Sequence, residues 1–148
     1  MKYIFIFIFL CSANFAQSQR YILLDKTMSQ PAFFSNNVSV SEKFKGFFPV
    51  EKKDVGKFIE ALQEIAKRLS SKKITGKPKQ YKIGCTEITG EAFPLASGER
   101  LDYMLTSTCG DVKVSMHLVD AKLDNANNEY FVNTWIKYIQ NALKQNQR

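Results

Sequence analysis

The sequence predicts a single α+β domain, with one antiparallel sheet of about five strands and two amphipathic helices. Over several short segments, hydrophobic residues alternate with polar ones, as in half-buried strands. Two longer segments follow the 3.6-residue period of a helix, which gives the order β-β-α-β-β-β-α. The chain has 148 residues, 45% of them hydrophobic and 24% charged, which is typical of one globular domain.

The first 18 residues have the composition of a secretory signal peptide. Lys2 precedes an apolar run over residues 3–10, and Ala16-Gln17-Ser18 then places small residues at the two positions that signal peptidase recognises. We therefore expect export, with cleavage near Ser18 and cleavage after Ala16 as the second choice. One α+β domain then spans residues 19–148. No stretch of the sequence reaches the roughly 18 consecutive apolar residues that a membrane span needs, so none is expected after leader removal.

Two strands are predicted before the first helix. Residues 20–28 form a short strand, and the Pro/Ser/Asn-rich segment 29–37 is expected to be a turn-rich connection. Val38, Val40, Phe44 and Phe48 then fall on one side of an extended chain, which predicts a second, longer strand. Pro49 is expected to end that strand.

A helix follows from about residue 51, where the hydrophobic period changes. Apolar residues recur at the spacing of one helical face, and charged residues occupy the other face. The apolar face consists of Val55, Phe58, Ile59, Leu62, Ile65, Ala66 and Leu69. A second helix is predicted near the C-terminus, where a preceding polar segment offers several Asn and Asp residues as N-caps. Its apolar stripe consists of Phe131, Trp135, Ile139 and Ala142.

Between the helices, strands are predicted at about residues 80–89, 100–109 and 111–120. Cys85 and Cys109 remain after removal of the leader, and an even cysteine count in an exported protein indicates a disulfide. A three-residue loop ending at Gly98 would pair residues whose numbers sum to 194, so that the two cysteines face each other. Gly90 and Pro94 weaken this register because they interrupt the first strand, but the disulfide needs only proximity.

The positive charge is concentrated in one part of the chain. Twelve Lys and Arg but only four Asp and Glu fall within residues 43–82. The densest part comprises Lys67, Arg68, Lys72, Lys73, Lys77, Lys79 and Lys82. Such a patch is either a solvated helix end with a Lys-rich loop or a contact for a polyanion. Nucleic acid is not favoured, since arginine is scarce and only Tyr81 supplies an aromatic ring in this window.

The sequence offers little support for catalysis or a cofactor. Three Cys and one His are too few for a zinc finger or an iron–sulfur cluster, and we expect no cofactor. His117 is expected at an exposed or edge position. A Ser–His–Asp arrangement could be written with Ser107 or Ser115, but neither serine lies in a G-x-S-x-G turn.

Phe33 and Phe34 are two large rings in a segment rich in turn residues. They are expected either to fold over the edge of the core or to form an exposed contact for a protein partner. Asn37-Val38-Ser39 matches a glycosylation sequon, which has meaning only in a eukaryotic secretory pathway.

Taken as a sequence, the chain is expected to be an exported, non-enzymatic binding module. It would act through the Lys-rich surface or through Phe33 and Phe34, on an unknown protein or an anionic envelope component. The alternative is a structural envelope protein that associates with itself. A small hydrolase is the least favoured class.

Overall fold

The computed structural model describes residues 19–71, 76–96, 98–119 and 122–145. The predicted signal peptide, residues 1–18, lies outside these ranges. The strands are β1 (Tyr21–Asp25), β2 (Phe33–Ser35), β3 (Phe47–Glu51), β4 (Tyr81–Ile83), β5 (Thr86–Leu95), β6 (Gly98–Ser107) and β7 (Val114–Val119). The helices are α1 (Val55–Leu69), between β3 and β4, and α2 (Asn125–Gln145), after β7. The α+β class with two helices is confirmed.

The prediction of one sheet of about five strands is wrong, because the strands form two antiparallel sheets. β1 is the centre of a three-stranded sheet between β2 and β3, and β4 to β7 form a four-stranded sheet in chain order. Two strands are additional: β2 lies in the segment predicted to be a turn-rich connection, where it pairs with Tyr21–Leu23, and the strand predicted at residues 80–89 is divided by a turn into β4 and the start of β5. A strand of three residues is too short to produce a visible alternation, so the hydrophobic pattern did not reveal it.

The strand predicted at residues 38–48 begins much later than expected. Most of that segment is a loop containing a 3-10 turn at Glu42–Phe44, and β3 starts only at Phe47. Pro49 does not end the strand but lies inside it, opposite Leu23 of β1. Because β3 pairs only with β1, its other edge needs no ladder hydrogen bonds and tolerates a residue without an N–H group.

β1 is buried on both faces, which explains why the loop before β3 resembles a strand in its hydrophobicity. Ile22 and Leu24 belong to the main core, whereas Tyr21 and Leu23 contribute to a second, smaller cluster. The rest of that cluster comes from β2, the loop and strand after it, and the chain around the cysteines: Phe33, Val38, Phe44, Phe47, Cys85, Cys109 and Val112. Val38 and Phe44 thus cover one face of β1 from a loop, whereas Phe47 and Phe48 lie in β3 beside it.

A disulfide joins Cys85 to Cys109 with the Cα atoms 5.1 Å apart, as predicted. The expected register is wrong by one residue. β5 and β6 pair residues whose numbers sum to 193, such as Thr86 with Ser107. Since Leu95 pairs with Gly98, only two residues separate the strands, rather than the three that the prediction assumed. The cysteines therefore lie just beyond the paired strands, where the Thr108 N–H donates to the Cys85 carbonyl at 2.8 Å.

β5 is continuous through Gly90 and Pro94, contrary to the expected interruption. The side-chain amide of Gln80 exchanges two hydrogen bonds with the Gly90 backbone, at 3.0 and 3.2 Å, and so continues the pairing that β4 provides. Gly90 lies opposite Tyr103, and a Cβ at this position would be 2.5 Å from the Tyr103 ring. Pro94 is accommodated because β4 pairs only with residues 86–88, so this part of β5 has a single neighbouring strand.

The two helices pack on the inner faces of the sheets and enclose the main core. α1 buries the predicted face except for Ile59, which is half-buried. On α2, Trp135, Ile139 and Ala142 are buried as predicted, while Phe131 packs against the core from a half-buried position. Neither helix of the described chain combines the length and apolarity of a membrane span.

A polar turn after β1 is tied to α2. The buried carboxylate of Asp25 accepts hydrogen bonds from the backbone N–H groups of Thr27 and Gln30, at 3.0 and 2.7 Å, and from the hydroxyls of Thr27 and Ser29. Burial by itself would raise the pKa of Asp25, but these hydrogen bonds outweigh it and lower the pKa below its usual value. The Tyr138 hydroxyl, on α2, accepts from the Asp25 N–H and donates to the Gln30 carbonyl.

Candidate functional site

The Lys-rich segment surrounds a groove between α1 and β4. Residues 57, 60, 61, 64 and 68 lie along one side of α1, because positions three and four apart share a helical face. The chain from residue 79 to 83 forms the opposite wall. The groove has a volume of about 300 Å³ and is lined by Lys57, Glu60, Ala61, Glu64, Lys79, Gln80, Tyr81, Lys82 and Ile83.

One hydrogen-bonded group spans the groove and fixes its width. Lys79 Nζ and the Tyr81 hydroxyl both contact Glu64 Oε2, at 2.8 and 3.0 Å. The hydrogen bond from Lys79, together with that from Tyr81, lowers the pKa of Glu64. Burial raises the pKa of Tyr81, and the adjacent Glu64 carboxylate raises it further. Glu64 is thus a charged acceptor that joins α1 to β4, and Lys79 is neutralised by it.

Arg68 has a structural role as well. Its guanidinium donates to the backbone carbonyls of Gly76 and Lys77, the latter at 3.1 Å. These bonds hold the chain that enters β4 against the end of α1. Of the seven predicted patch residues, Arg68 and Lys79 therefore contribute to the architecture, which limits the charge they can offer a partner.

Two lysines that line the groove, Lys57 and Lys82, form no ion pair with an acidic side chain of the described chain. Lys67 and Lys77 form none either, although they do not line the groove, and all four are exposed. Lys57 was not among the predicted patch residues, although its position one turn before Glu60 and Ala61 on the same helical face was a usable signal. Lys72 and Lys73 lie outside the described residues. The groove thus places Lys57 of α1 opposite Lys82 of β4.

Phe33 and Phe34 lie in β2 and are half-buried, one on each side of the small sheet. The Phe33 ring contacts Phe47 edge-on, with centroids 5.1 Å apart, and it belongs to the second cluster. The Phe34 ring packs against the main core and has the Lys52 ammonium 4.9 Å from its centroid. Both rings are engaged within the protein, which agrees with the interpretation that they cover the edge of the core.

Of the five large apolar side chains that are exposed on the described chain, two lie at the end of the β5–β6 hairpin, two lie near the start of α2, and the fifth is Val40. Phe93 and Leu95 are 40% and 43% exposed, and Leu123 and Tyr130 are 49% and 75% exposed. The sequence contained a signal for the first two, because the outward parity of Glu87, Thr89 and Glu91 continues to positions 93 and 95. The predicted strand stops at about residue 89, with Gly90 and Pro94 as interruptions, so the prediction does not extend this parity to positions 93 and 95.

His117 lies on β7, on the outer face of the four-stranded sheet. Its Nδ1 is 3.2 Å from Asp102 Oδ1, and its side chain is 57% exposed. The nearby Thr106 and Ser115 hydroxyls are 3.1 Å apart and bond to each other. Serine and histidine are thus neighbours on an open face, with a carboxylate orienting the imidazole but without an enclosed pocket around the histidine.

A second cluster of charges lies where β3 meets α1. The buried Glu51 carboxylate is paired with Arg20 at 3.1 Å and with Lys53 at 3.3 Å. Burial opposes ionisation of Glu51, but these two cations more than compensate and lower its pKa. A buried oxygen of Asp54, which has no hydrogen-bond partner in the described chain, lies close to Gly84. The cluster thus lies where the start of α1 approaches the β4–β5 turn.

Neither a metal site nor a known relative accounts for these features. The described residues contain no group of three or more His, Cys, Asp and Glu side chains arranged to bind a metal ion. No family model, curated protein or solved structure matches the chain. The function must therefore be inferred from the surface itself.

Proposed function

We propose that this protein is an exported, non-enzymatic binding protein that contacts an acidic partner through the groove between α1 and β4. The observation that carries the proposal is a pair of exposed lysines on opposite walls of the groove, Lys57 and Lys82, neither of which forms an ion pair with an acidic side chain of the described chain.

Physical considerations support a binding role over a merely solvated surface. Lysine side chains that lie together beside the low-dielectric protein interior raise the positive electrostatic potential at the surface. That potential attracts a polyanion and accelerates its association. The floor of the groove is closed by Ala61 and Ile83, which are buried in the main core, so the charged side chains at its rim are what a partner would meet. A volume of about 300 Å³ is at the small end of ligand pockets, so it suits a side chain or a sugar unit better than a large cofactor.

Other functions have weaker support. A general base in an enzyme operates in a concave site that limits water access, whereas more than half of the His117 side chain is exposed. A contact through Phe33 and Phe34 would require both rings to leave the clusters in which they are packed. Export is supported by the disulfide, since disulfides persist in oxidising compartments.

The test is binding of the purified protein to heparin, as an acidic polysaccharide, and to vesicles containing phosphatidylglycerol. The groove variant carries Lys57→Glu and Lys82→Glu. The matched control carries Lys137→Glu and Lys144→Glu, which reverse two exposed lysines on one face of α2. We expect the groove variant to bind at least one of the two probes about tenfold more weakly than the unaltered protein does.

The control variant should stay within about twofold, and binding should weaken as salt is raised. Equal loss in both variants would mean that net charge alone drives binding, and it would refute a specific role for the groove. No binding of the unaltered protein to either probe at low salt would remove the polyanion interpretation.

A further inference from the structure

The described chain begins with a glutamine that the expected processing would expose. Cleavage after Ser18 leaves Gln19 as the first residue, and cleavage after Ala16, the second choice, leaves Gln17. Both cleavage positions therefore give a mature chain that begins with glutamine. A glutamine in first position carries a free α-amine within reach of its own side-chain amide, an arrangement that no internal glutamine has.

The fold holds the chain from the residue after Gln19. The Arg20 carbonyl accepts from the Lys52 N–H at 2.8 Å, and Tyr21 begins the pairing of β1 with β3, opposite Glu51. Gln19 itself is exposed, and no backbone hydrogen bond of the described chain uses its N–H group. A ring that takes up this nitrogen would therefore cost the sheet no hydrogen bond.

The surface around Gln19 is positively charged. Gln19 lines a cleft whose other described lining residues are three cations, Arg20, Lys52 and Lys53, and one carboxylate, Glu51. A free α-ammonium would add a like charge to this cleft, which is unfavourable. Ring closure replaces the ammonium by a neutral lactam and so removes the repulsion.

We propose that the mature protein carries a pyroglutamyl residue at its N-terminus, formed from Gln19. The α-amine nitrogen attacks the carbon of the side-chain amide, and the new C–N bond closes the lactam. The bond from that carbon to the amide nitrogen breaks, and ammonia leaves with a proton taken from the amine. Because both groups belong to one residue, the reaction is intramolecular and needs no co-reactant. The modification rests on the export that the proposed function includes, and it is independent of the groove.

The lactam would protect an ion pair at the start of β1. Aminopeptidases require a free α-amine, and exposed termini are where proteolysis concentrates. Loss of Gln19 and then of Arg20 would leave the buried Glu51 carboxylate with Lys53 but without its Arg20 partner. Removing one partner of a buried charge is destabilising, so a blocked N-terminus preserves the start of the fold.

The experiment is mass spectrometry of the protein as its own host exports it. The full chain is expressed there, leader included, with a tag at the C-terminus, and the exported product is analysed intact and by fragmentation. The matched control carries Gln17→Asn and Gln19→Asn, which keep a side-chain amide at both positions. Asparagine is one methylene shorter, so ring closure would need a strained four-membered ring and the α-amine stays free.

We expect the unaltered product to start at residue 19 and to be about 17 Da lighter than a chain with free glutamine, the mass of one ammonia molecule. The control should have the mass calculated for a free α-amine. An aminopeptidase should leave the unaltered product intact and should trim the control. Pyroglutamyl aminopeptidase should remove one residue from the unaltered product and leave the control unchanged.

Two results would overturn the lactam while leaving export in place. They are a mature chain that begins with an uncyclised glutamine, and a mature chain that begins at neither Gln17 nor Gln19. A product that keeps all 148 residues would overturn both the lactam and the expected export. Heparin and vesicle binding depend on the groove, so a failure there would leave the mass result standing.

Discussion

Breaking the bond between Cys85 and Cys109 should destabilise the protein by about 3.5 kcal/mol. The cysteines are 24 positions apart, and closing a loop of that length removes conformational entropy from the unfolded chain. The chain-entropy relation gives roughly 3.5 kcal/mol at 25 °C for this loop. Small domains are commonly stable by only about 5–15 kcal/mol, so the loss is large enough to measure with confidence.

The assay is equilibrium unfolding in urea, followed by tryptophan fluorescence, since Trp135 is fully buried. Three samples are compared: the unaltered protein, the same protein in reductant, and a variant with Cys85→Ala and Cys109→Ala. The unaltered protein should unfold at the highest urea concentration, and reductant should leave the variant unchanged. Identical midpoints for the oxidised and reduced unaltered protein, or two free thiols by mass analysis, would refute both the cross-link and the expected export.

Three further substitutions test the packing and the polar turn. Asp25→Asn should lower the free energy of unfolding, measured in urea at neutral pH, by about 1–3 kcal/mol, because it weakens four hydrogen bonds to a buried carboxylate. Since folding lowers the pKa of Asp25, the ionised carboxylate contributes its full stabilisation at pH values above the unfolded pKa of about 4. The difference between variant and unaltered protein should therefore shrink as pH falls through the folded pKa, and a constant difference down to pH 2 would contradict this. Gly90→Ala should lower the free energy of unfolding by about 1–3 kcal/mol in the same assay, because the added Cβ would clash with the Tyr103 ring. The control is Gly46→Ala, whose added Cβ has no neighbour within 4 Å and should cause no loss of stability by a clash. Tyr138→Phe should lower the melting temperature by removing two hydrogen bonds, a loss of about 1–2 kcal/mol; an unchanged melting temperature would show that water replaces them.

Local features of the fold were predictable because local physics determines them. The period of Phe58, Leu62, Ile65 and Leu69 identified α1, and the cysteine count together with the expected compartment identified the disulfide. These inferences need only the spacing of residues and the chemistry of side chains. The hairpin register required the loop length as well, and an error of one residue there shifted every pair.

The second sheet could not be read from the sequence. Phe33–Ser35 is a strand only because Tyr21–Leu23 offers it a free edge, and three residues carry no periodic signal of their own. Val38 and Phe44 fit a strand-like spacing, yet they lie in a loop that covers one face of β1, a strand buried on both faces. Which surface an apolar segment covers depends on contacts between residues distant in the chain.

The candidate site also combines features that the sequence predicted with features that only the fold decides. The sequence indicated an excess of lysine, but it counted Arg68 and Lys79 as available charges. Folding commits Arg68 to two backbone carbonyls and Lys79 to Glu64, and it adds Lys57, which lies two turns before Glu64 on the same face of α1. Phe33 and Phe34 were candidate contact residues because they are large rings in a segment rich in turn residues. The pairing of β2 with β1, which leaves both rings half-buried, could not be predicted from the sequence.

The sequence by itself determined the class of the protein, its two helices, the cysteine pair and the part of the chain where cations gather. Those properties are set by side-chain chemistry and by periodicities within a few residues. The tertiary structure alone decided that the strands divide into two sheets, which lysines remain without counter-charges, and that Phe93 and Leu95 are exposed at the hairpin end. Burial and charge pairing are properties of residues brought together across the fold, so no local pattern carries them.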